Sequence, residues 1–370
     1  MSIISLLRQQ LTELSEMSFA EFMRQALYAP GLGYYSAGLQ KFGRHGDFVT
    51  APELTPLYGY SLANQCQPIL SLLSTPVLFE FGAGSGRLCI DLLTHLERLD
   101  ALPDYYLILE VSGTLKQRQQ EAISTALPHL KHRVQWLSSW PQDAFNGVII
   151  ANEVLDAMPV HRFLQSSNGV LENYIRLDEH DRLVDFWRPS LNKDLLEYVK
   201  RVLPTLHQPY VSEVNLLMPA WMKQCFMMLN QGLFLIIDYG FPRHEYYHPE
   251  RNQGTLMCHY QHQTHTNPLA HPGEEDITAH VDFTHVAEAA EAAGFMIAGY
   301  TNQAAFLLGN GLLTLLAEEQ DPLQLLRQQQ AVKQLLQASE MGELFKVMAL
   351  TKALNLPLQG FELHDKRASL

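Results

Sequence analysis

Apolar and polar positions change period several times along the chain. Leu6, Leu7, Leu11 and Leu14 recur at helical spacing, and Ser18 with Glu21 resembles a capping box ahead of Phe19, Phe22 and Met23. Residues 1–29 therefore predict two helices. PGLGYYSAG (30–38) is turn chemistry, GRHGDFVTAPELTP (43–56) reads as a long irregular segment, and a helix is expected from 56 to 73. From residue 76 the pattern switches. PVLFEF (76–81), YYLILE (105–110), RVQWL (133–137) and GVIIAN (147–152) are short apolar runs that predict strands, with helices expected at 84–99 and 114–127. Strands and helices alternating at this spacing imply parallel βαβ units. ENYIRL and RLVDFW (172–177, 182–187) predict a hairpin. The alternation resumes with GLFLIID (232–238), a helix at 282–294 closed by Gly294, FMIAGY (295–300), two more helices and FKVMAL (345–350).

The expected architecture is α/β, a Rossmann-like core around a mostly parallel sheet. Its divisions are an N-terminal helical and lid segment (1–75), a nucleotide-binding half (76–163), an insertion (164–230) and a second half of the core (231–370) with a long loop at 239–281. At 47% hydrophobic and 18% charged, the chain has ample material for such a core. Its net charge of -13 argues against non-specific nucleic-acid binding, which needs clustered Lys and Arg. Cys66, Cys89, Cys225 and Cys258 lack CxxC spacing, so neither a disulfide framework nor a Cys-based zinc site is expected. No apolar run approaches the roughly 20 residues of a membrane span, and the N-terminus has no signal layout. A cytoplasmic location is the expectation.

The candidate chemistry starts at LFEFGAGSGRLCI (78–90). A dinucleotide fingerprint needs a third small residue for close helix–strand packing. Here that position is Arg87 or Cys89, which disfavours a dehydrogenase. Glu80 followed by Gly82, Ala83, Gly84 and Gly86 instead has the form of the class I S-adenosylmethionine (SAM) methyltransferase motif. Glycines let the backbone approach the amino-acid moiety of such a cofactor, and helix N–H groups can meet its carboxylate. Glu80 can take the ammonium side. Glu110 closes the next strand, where its two oxygens match the vicinal diol of a ribose. ANEVLDAMPVHRF (151–163) follows the fourth strand, and ligands in such sheets sit beyond strand carboxyl ends. Asn152, Glu153 and Asp156 are thus expected near the reactive end, with helix capping as the alternative use of Asn152 and Asp156.

The resemblance goes further. YAPGLGYYS (28–36), GDFVTAPEL (46–54), EFGAGSGRL (80–88), ANEVLDAMPVHRF, DYGF (238–241), GTLMCHYQH (254–262), GEEDITAHVDFT (273–284) and MGELFKVMAL (341–350) span nearly the whole chain in order. In them the sequence resembles the MidA-like SAM-dependent methyltransferases, which include the mitochondrial arginine methyltransferase of respiratory complex I assembly. The resemblance implies a seven-strand core with added N-terminal and internal segments and S-adenosyl-L-methionine as cofactor. It also implies methyl transfer to a protein presenting arginine, such as a subunit of the complex I type.

Guanidinium is a poor nucleophile that carboxylates can clamp and orient. Glu153 and Asp156 are the first expectation for that role, with Asn152 beside them. Asp47 and Glu53 from the N-terminal segment, and His280 and Asp282 from TAHVDF, are expected to contact the substrate. Tyr34, Tyr35, Phe48 and Tyr239 are candidate pocket walls. HYQHQTH (259–265) invites a metal reading, but carboxylate or Cys partners at set spacing are not evident, and no metal is expected. Two alternatives stay open: a methyltransferase for a small molecule or another residue type, and a SAM-binding assembly factor without turnover.

Overall fold

The computed structural model describes residues 2–37, 50–203 and 209–370. Seven principal strands form its central sheet: β1 (Val77–Phe81), β2 (Tyr105–Leu109), β3 (Val134–Leu137), β4 (Phe145–Asn152), β5 (Leu229–Phe241), β6 (Met296–Asn302) and β7 (Phe345–Lys352). Their spatial order is β3-β2-β1-β4-β5-β7-β6. β1 to β5 are parallel, and β7 runs antiparallel between β5 and β6. A two-residue strand, Val281–Asp282, adds to the end of β5.

β1 shows why these runs become strands. All five of its residues are buried. Leu78 joins the core under the helices Pro56–Leu72, Arg87–Arg98 and Gly113–Ala126. Phe79 and Phe81 join the core under Met218–Met228 and Phe283–Ala293. A parallel strand covered on both faces must be apolar throughout, which makes it legible as a continuous run. Strand order reverses between β1 and β4, so the crevice for a ligand opens at their carboxyl ends.

The first helix after β1 starts at Arg87, three residues later than its pattern suggests. Gly82, Gly84 and Gly86 all have positive φ (+56°, +51° and +85°), a conformation that only glycine adopts without strain. The N-terminal helices run Ile3–Leu14 and Phe19–Tyr28, and the Ser18 hydroxyl caps the second by accepting from the Glu21 N–H.

Two further sheets flank the core. The expected hairpin is Gly169–Leu177 with Leu183–Pro189. It belongs to a five-stranded antiparallel sheet with His161–Ser166, Tyr210–Val214 and the N-terminal Met17–Ser18. The segment 239–281, expected to be a loop, is largely structured. It holds the end of β5, a short helix (Arg243–Tyr246) and a three-stranded sheet of Met257–Tyr260, Gln263–His265 and Asp276–Thr278. Strands of three and four residues with polar side chains on their accessible face give no run long enough to register as strands.

Candidate active site

A cavity of about 590 Å³ opens above the carboxyl ends of β1, β2, β4 and β5. Its floor is the glycine turn. The Gly82 N–H donates to the Leu109 carbonyl (3.0 Å), which ties the start of the turn to β2. Glu80 is buried in the last part of β1 and accepts from the Tyr106 hydroxyl at 2.7 Å. Burial raises its pKa to about 7, against the lowering effect of that hydrogen bond.

Glu110 stands at the next strand end. One of its oxygens accepts from the Ser112 N–H and the other from the Gln119 amide, both at 2.9 Å. A carboxylate anchored through both oxygens has the two-point geometry that a vicinal diol matches. The Gln119 amide also donates to the Gly84 carbonyl (3.0 Å), and its own oxygen accepts from the Trp136 indole (2.8 Å). Gln119 is wholly buried and couples the glycine turn to Glu110. It sits within a polar helix, where no local pattern marks it.

The far end of the cavity is acidic. Asn152 closes β4, accepts from the Tyr58 hydroxyl at 2.5 Å and donates to Glu153 at 3.2 Å. Glu153 has φ +54°, strained for a side chain with a Cβ. The turn is held because Asp238, at the end of β5, accepts from three successive N–H groups. These belong to Val154, Leu155 and Asp156, at 3.2, 2.9 and 3.3 Å. The Glu153 N–H itself donates to the Ile237 carbonyl. Burial pushes the Glu153 carboxyl up to about 8, and the neighbouring Asp156 adds to the shift. Asp156 moves up for the same reason, opposed by a hydrogen bond from Tyr239. Asp238 is pushed well above its ordinary range by burial and by both neighbouring acids. Three acids meet at this corner, and among the described residues no Lys or Arg raises or lowers their pKa values.

Aromatic walls enclose this corner. Tyr28 and Tyr35 stack with centroids 5.5 Å apart, and the Tyr35 hydroxyl lies 2.9 Å from both oxygens of Asp276. Tyr239, Phe345 and His280 complete the wall. His280 stacks on Phe241, and burial lowers its pKa to about 4, so it is neutral near pH 7.

Glu80, Gly82, Ala83, Gly84, Glu110, Asn152, Glu153, Asp156, Glu53 and His280 thus line one cavity. Gly86 sits just behind, capping the Arg87–Arg98 helix. Glu53, expected to contact substrate, accepts from Ser85 of the glycine turn and so stands at the cofactor end. Its short helix, Ala51–Leu54, also presents the Ala51 N–H to Glu153. Asp282 is not in this cavity wall. Its carboxylate caps the Phe283–Ala293 helix through the Thr284 and His285 N–H groups and accepts from Tyr198. Asp47 and Phe48 lie outside the described residues, and Tyr34 is buried in the core beneath the N-terminal helices. Asp238 and Tyr58 were not anticipated. Asp238 carried a usable signal, an acid closing a strand as Glu80 and Glu110 do.

The donors fit S-adenosylmethionine. A glycine turn with space above Gly82, an acid for the ammonium and a paired carboxylate for the ribose are all present, and Arg87, which also lines the cavity, is paired with Asp91 at 2.8 Å. Residues 61–301 match a family of S-adenosyl-L-methionine-dependent methyltransferases. The chain belongs to that family. Family members transfer a methyl group from a sulfonium that the cofactor supplies. A Burkholderia thailandensis protein crystallised with S-adenosyl-homocysteine is 41% identical, with a TM-score of 0.94 over 100% of this chain and 96% of that one. The mitochondrial protein arginine methyltransferase NDUFAF7 of Danio rerio is 27% identical over 96% of this chain and 88% of its own. The Drosophila melanogaster homologue is 26% identical over 79% and 71%. Both relatives are mitochondrial, so the cytoplasmic expectation gains no support from them. Among the described residues no helix is long and apolar enough to cross a membrane.

Proposed function

We propose that this methyltransferase acts on an arginine side chain of a protein. The observation that carries the reading is the acid corner beside the cofactor floor, where a buried Asp156 and a half-buried Glu153 both line the cavity. A neutral acceptor would leave these carboxyls protonated or costly to ionise, whereas a guanidinium offsets one negative charge and can donate hydrogen bonds to both groups. Two carboxylates on one guanidinium concentrate its charge on the clamped nitrogens and leave another facing the methyl donor. The enzyme's main task is then alignment, with reacting atoms about 3 to 3.5 Å apart. Asn152 fixes Glu153, and Tyr28, Tyr35 and Tyr239 exclude water from the corner. Relatives named as protein arginine methyltransferases support the acceptor class. The partner is a protein presenting arginine, with a subunit of the respiratory complex I type as the first choice.

The test is transfer of labelled methyl to arginine-bearing proteins and peptides, with Lys-substituted controls. Glu153→Gln and Asp156→Asn should each lower turnover by about 100-fold or more, as lost transition-state electrostatics do. SAM affinity should stay nearly unchanged in both. Glu110→Ala should instead weaken SAM binding by about 10- to 100-fold through loss of charge-assisted hydrogen bonds. Near-normal turnover in both acid variants, or label confined to small molecules, would remove the arginine reading.

A further inference from the structure

The three-stranded sheet at 257–278 has two faces with different chemistry. Met257, His259, Thr264, Asp276 and Thr278 face the cavity. Strand alternation turns Cys258, His265 and Glu275 to the opposite face. Cys258 and His265 are direct cross-strand partners, and Cys258 also pairs with Ile277, two residues after Glu275. The three side chains therefore meet although Glu275 is 17 positions beyond Cys258.

The Cys258 sulfur, a His265 ring nitrogen and a Glu275 oxygen all lie within 4.8 Å of one another. Cys258 and the Glu275 side chain are fully buried, and the His265 side chain is 30% exposed. His265 Nε2 and Glu275 Oε2 are 2.9 Å apart, yet neither atom has a partner in hydrogen-bond geometry. Their directions miss each other. One ion held between these two atoms and the Cys258 sulfur would satisfy both. The other Glu275 oxygen accepts from the His271 N–H at 3.4 Å, which holds the carboxylate in place.

We propose that Cys258, His265 and Glu275 form a binding site for a zinc-type divalent cation on the back of the active-site wall. Thiolate, imidazole and carboxylate are the donor set that zinc takes, and three protein ligands leave a fourth position for water on the exposed side of His265. Binding forms the metal–sulfur bond as the thiol proton leaves to solvent. The ion would clamp all three strands, and so brace the face that carries His259 and Asp276 into the cavity. This assignment is independent of the acceptor proposed above. HYQHQTH itself contains neither a thiol nor a carboxylate. The thiol precedes that run, and the carboxylate follows it by ten residues.

Cobalt(II) added to metal-stripped, reduced full-length protein tests the site. The expected result is one equivalent bound with a thiolate-to-cobalt charge-transfer absorption, displaced by zinc. Cys258→Ser should abolish the band, and His265→Ala should weaken zinc affinity by about 100-fold. His265 is partly exposed, so its variant should fold, and circular dichroism checks both. No thiolate band in the wild type, or a band that persists in Cys258→Ser, overturns the site.

Discussion

At the residue scale, the titration of the acids lining the cavity has two opposed consequences. Burial holds the Glu153 carboxyl near 8 rather than its ordinary 4.5. Between those values the folded state binds a proton that the unfolded chain has released, so stability falls as pH rises through this window. Binding a guanidinium needs the ionised form, so kcat/KM for an arginine peptide should climb from pH 6 towards pH 8. Glu153→Gln should abolish that climb with the activity. It should also make the free protein more stable than wild type at pH 8, by about 1–2 kcal/mol, because no charge is left to desolvate. At pH 5 the two should melt alike. Thermal denaturation at both pH values, beside a pH–rate profile, checks the pair of effects. Glu80, Glu110 and Glu153 are legible in the sequence as acids just at or after strand ends. Gln119 and Tyr58 are not, because each acts across a distance of many residues: Gln119 reaches Gly84, and Tyr58 reaches Asn152.

At the element scale, β5 does more than complete the sheet. It places Asp238 under the turn after β4 and then continues as Tyr239, Gly240 and Phe241 beside Val281–Asp282. A Cβ on Gly240 would lie 2.1 Å from the Val281 carbonyl oxygen, which is backbone and cannot rotate away. Gly240→Ala should therefore force the two strands apart and cost about 2–3 kcal/mol. Because Tyr239 and His280 flank this contact, the surviving folded enzyme should lose turnover more than SAM affinity. Chemical denaturation and isothermal titration with S-adenosyl-homocysteine separate the two. The long strands and amphipathic helices were readable because each buries a continuous face. The sheet at 257–278 was not, since its strands are short and one of its faces is a polar cavity wall.

At the scale of the whole molecule, the cavity is an assembly of distant segments. Tyr28 and Tyr35, the short helix at 51–54, the turns after β1 and β4, the small sheet and Phe345 all contribute. The chain carries 39 acidic against 26 basic residues, and the cavity end beside Glu153 and Asp156 is acidic as well. A cationic peptide should be drawn to it over long range. Raising salt shortens the Debye length from about 10 Å at 0.1 M to about 3 Å at 1 M. KM for a basic peptide should therefore rise several-fold across that range while kcat stays nearly constant, since the buried contacts are little screened. Steady-state kinetics at graded sodium chloride measure this. A salt-independent KM would mean that the surface field plays no part.

What the sequence determined by itself was local and periodic. Burial on both faces makes a parallel strand a continuous apolar run, glycine marks the turn that needs positive φ, and an acid beside each strand end marks the crevice. Those features were enough for the class I core and its cofactor. Only the tertiary structure decided which acids meet at one corner, that Asp282 caps a helix outside the cavity, and that Asp238 holds the strained turn at Glu153. It alone brought Cys258, His265 and Glu275 onto one face. These are contacts between segments far apart in the chain, set by sheet order and register, and no local period encodes them.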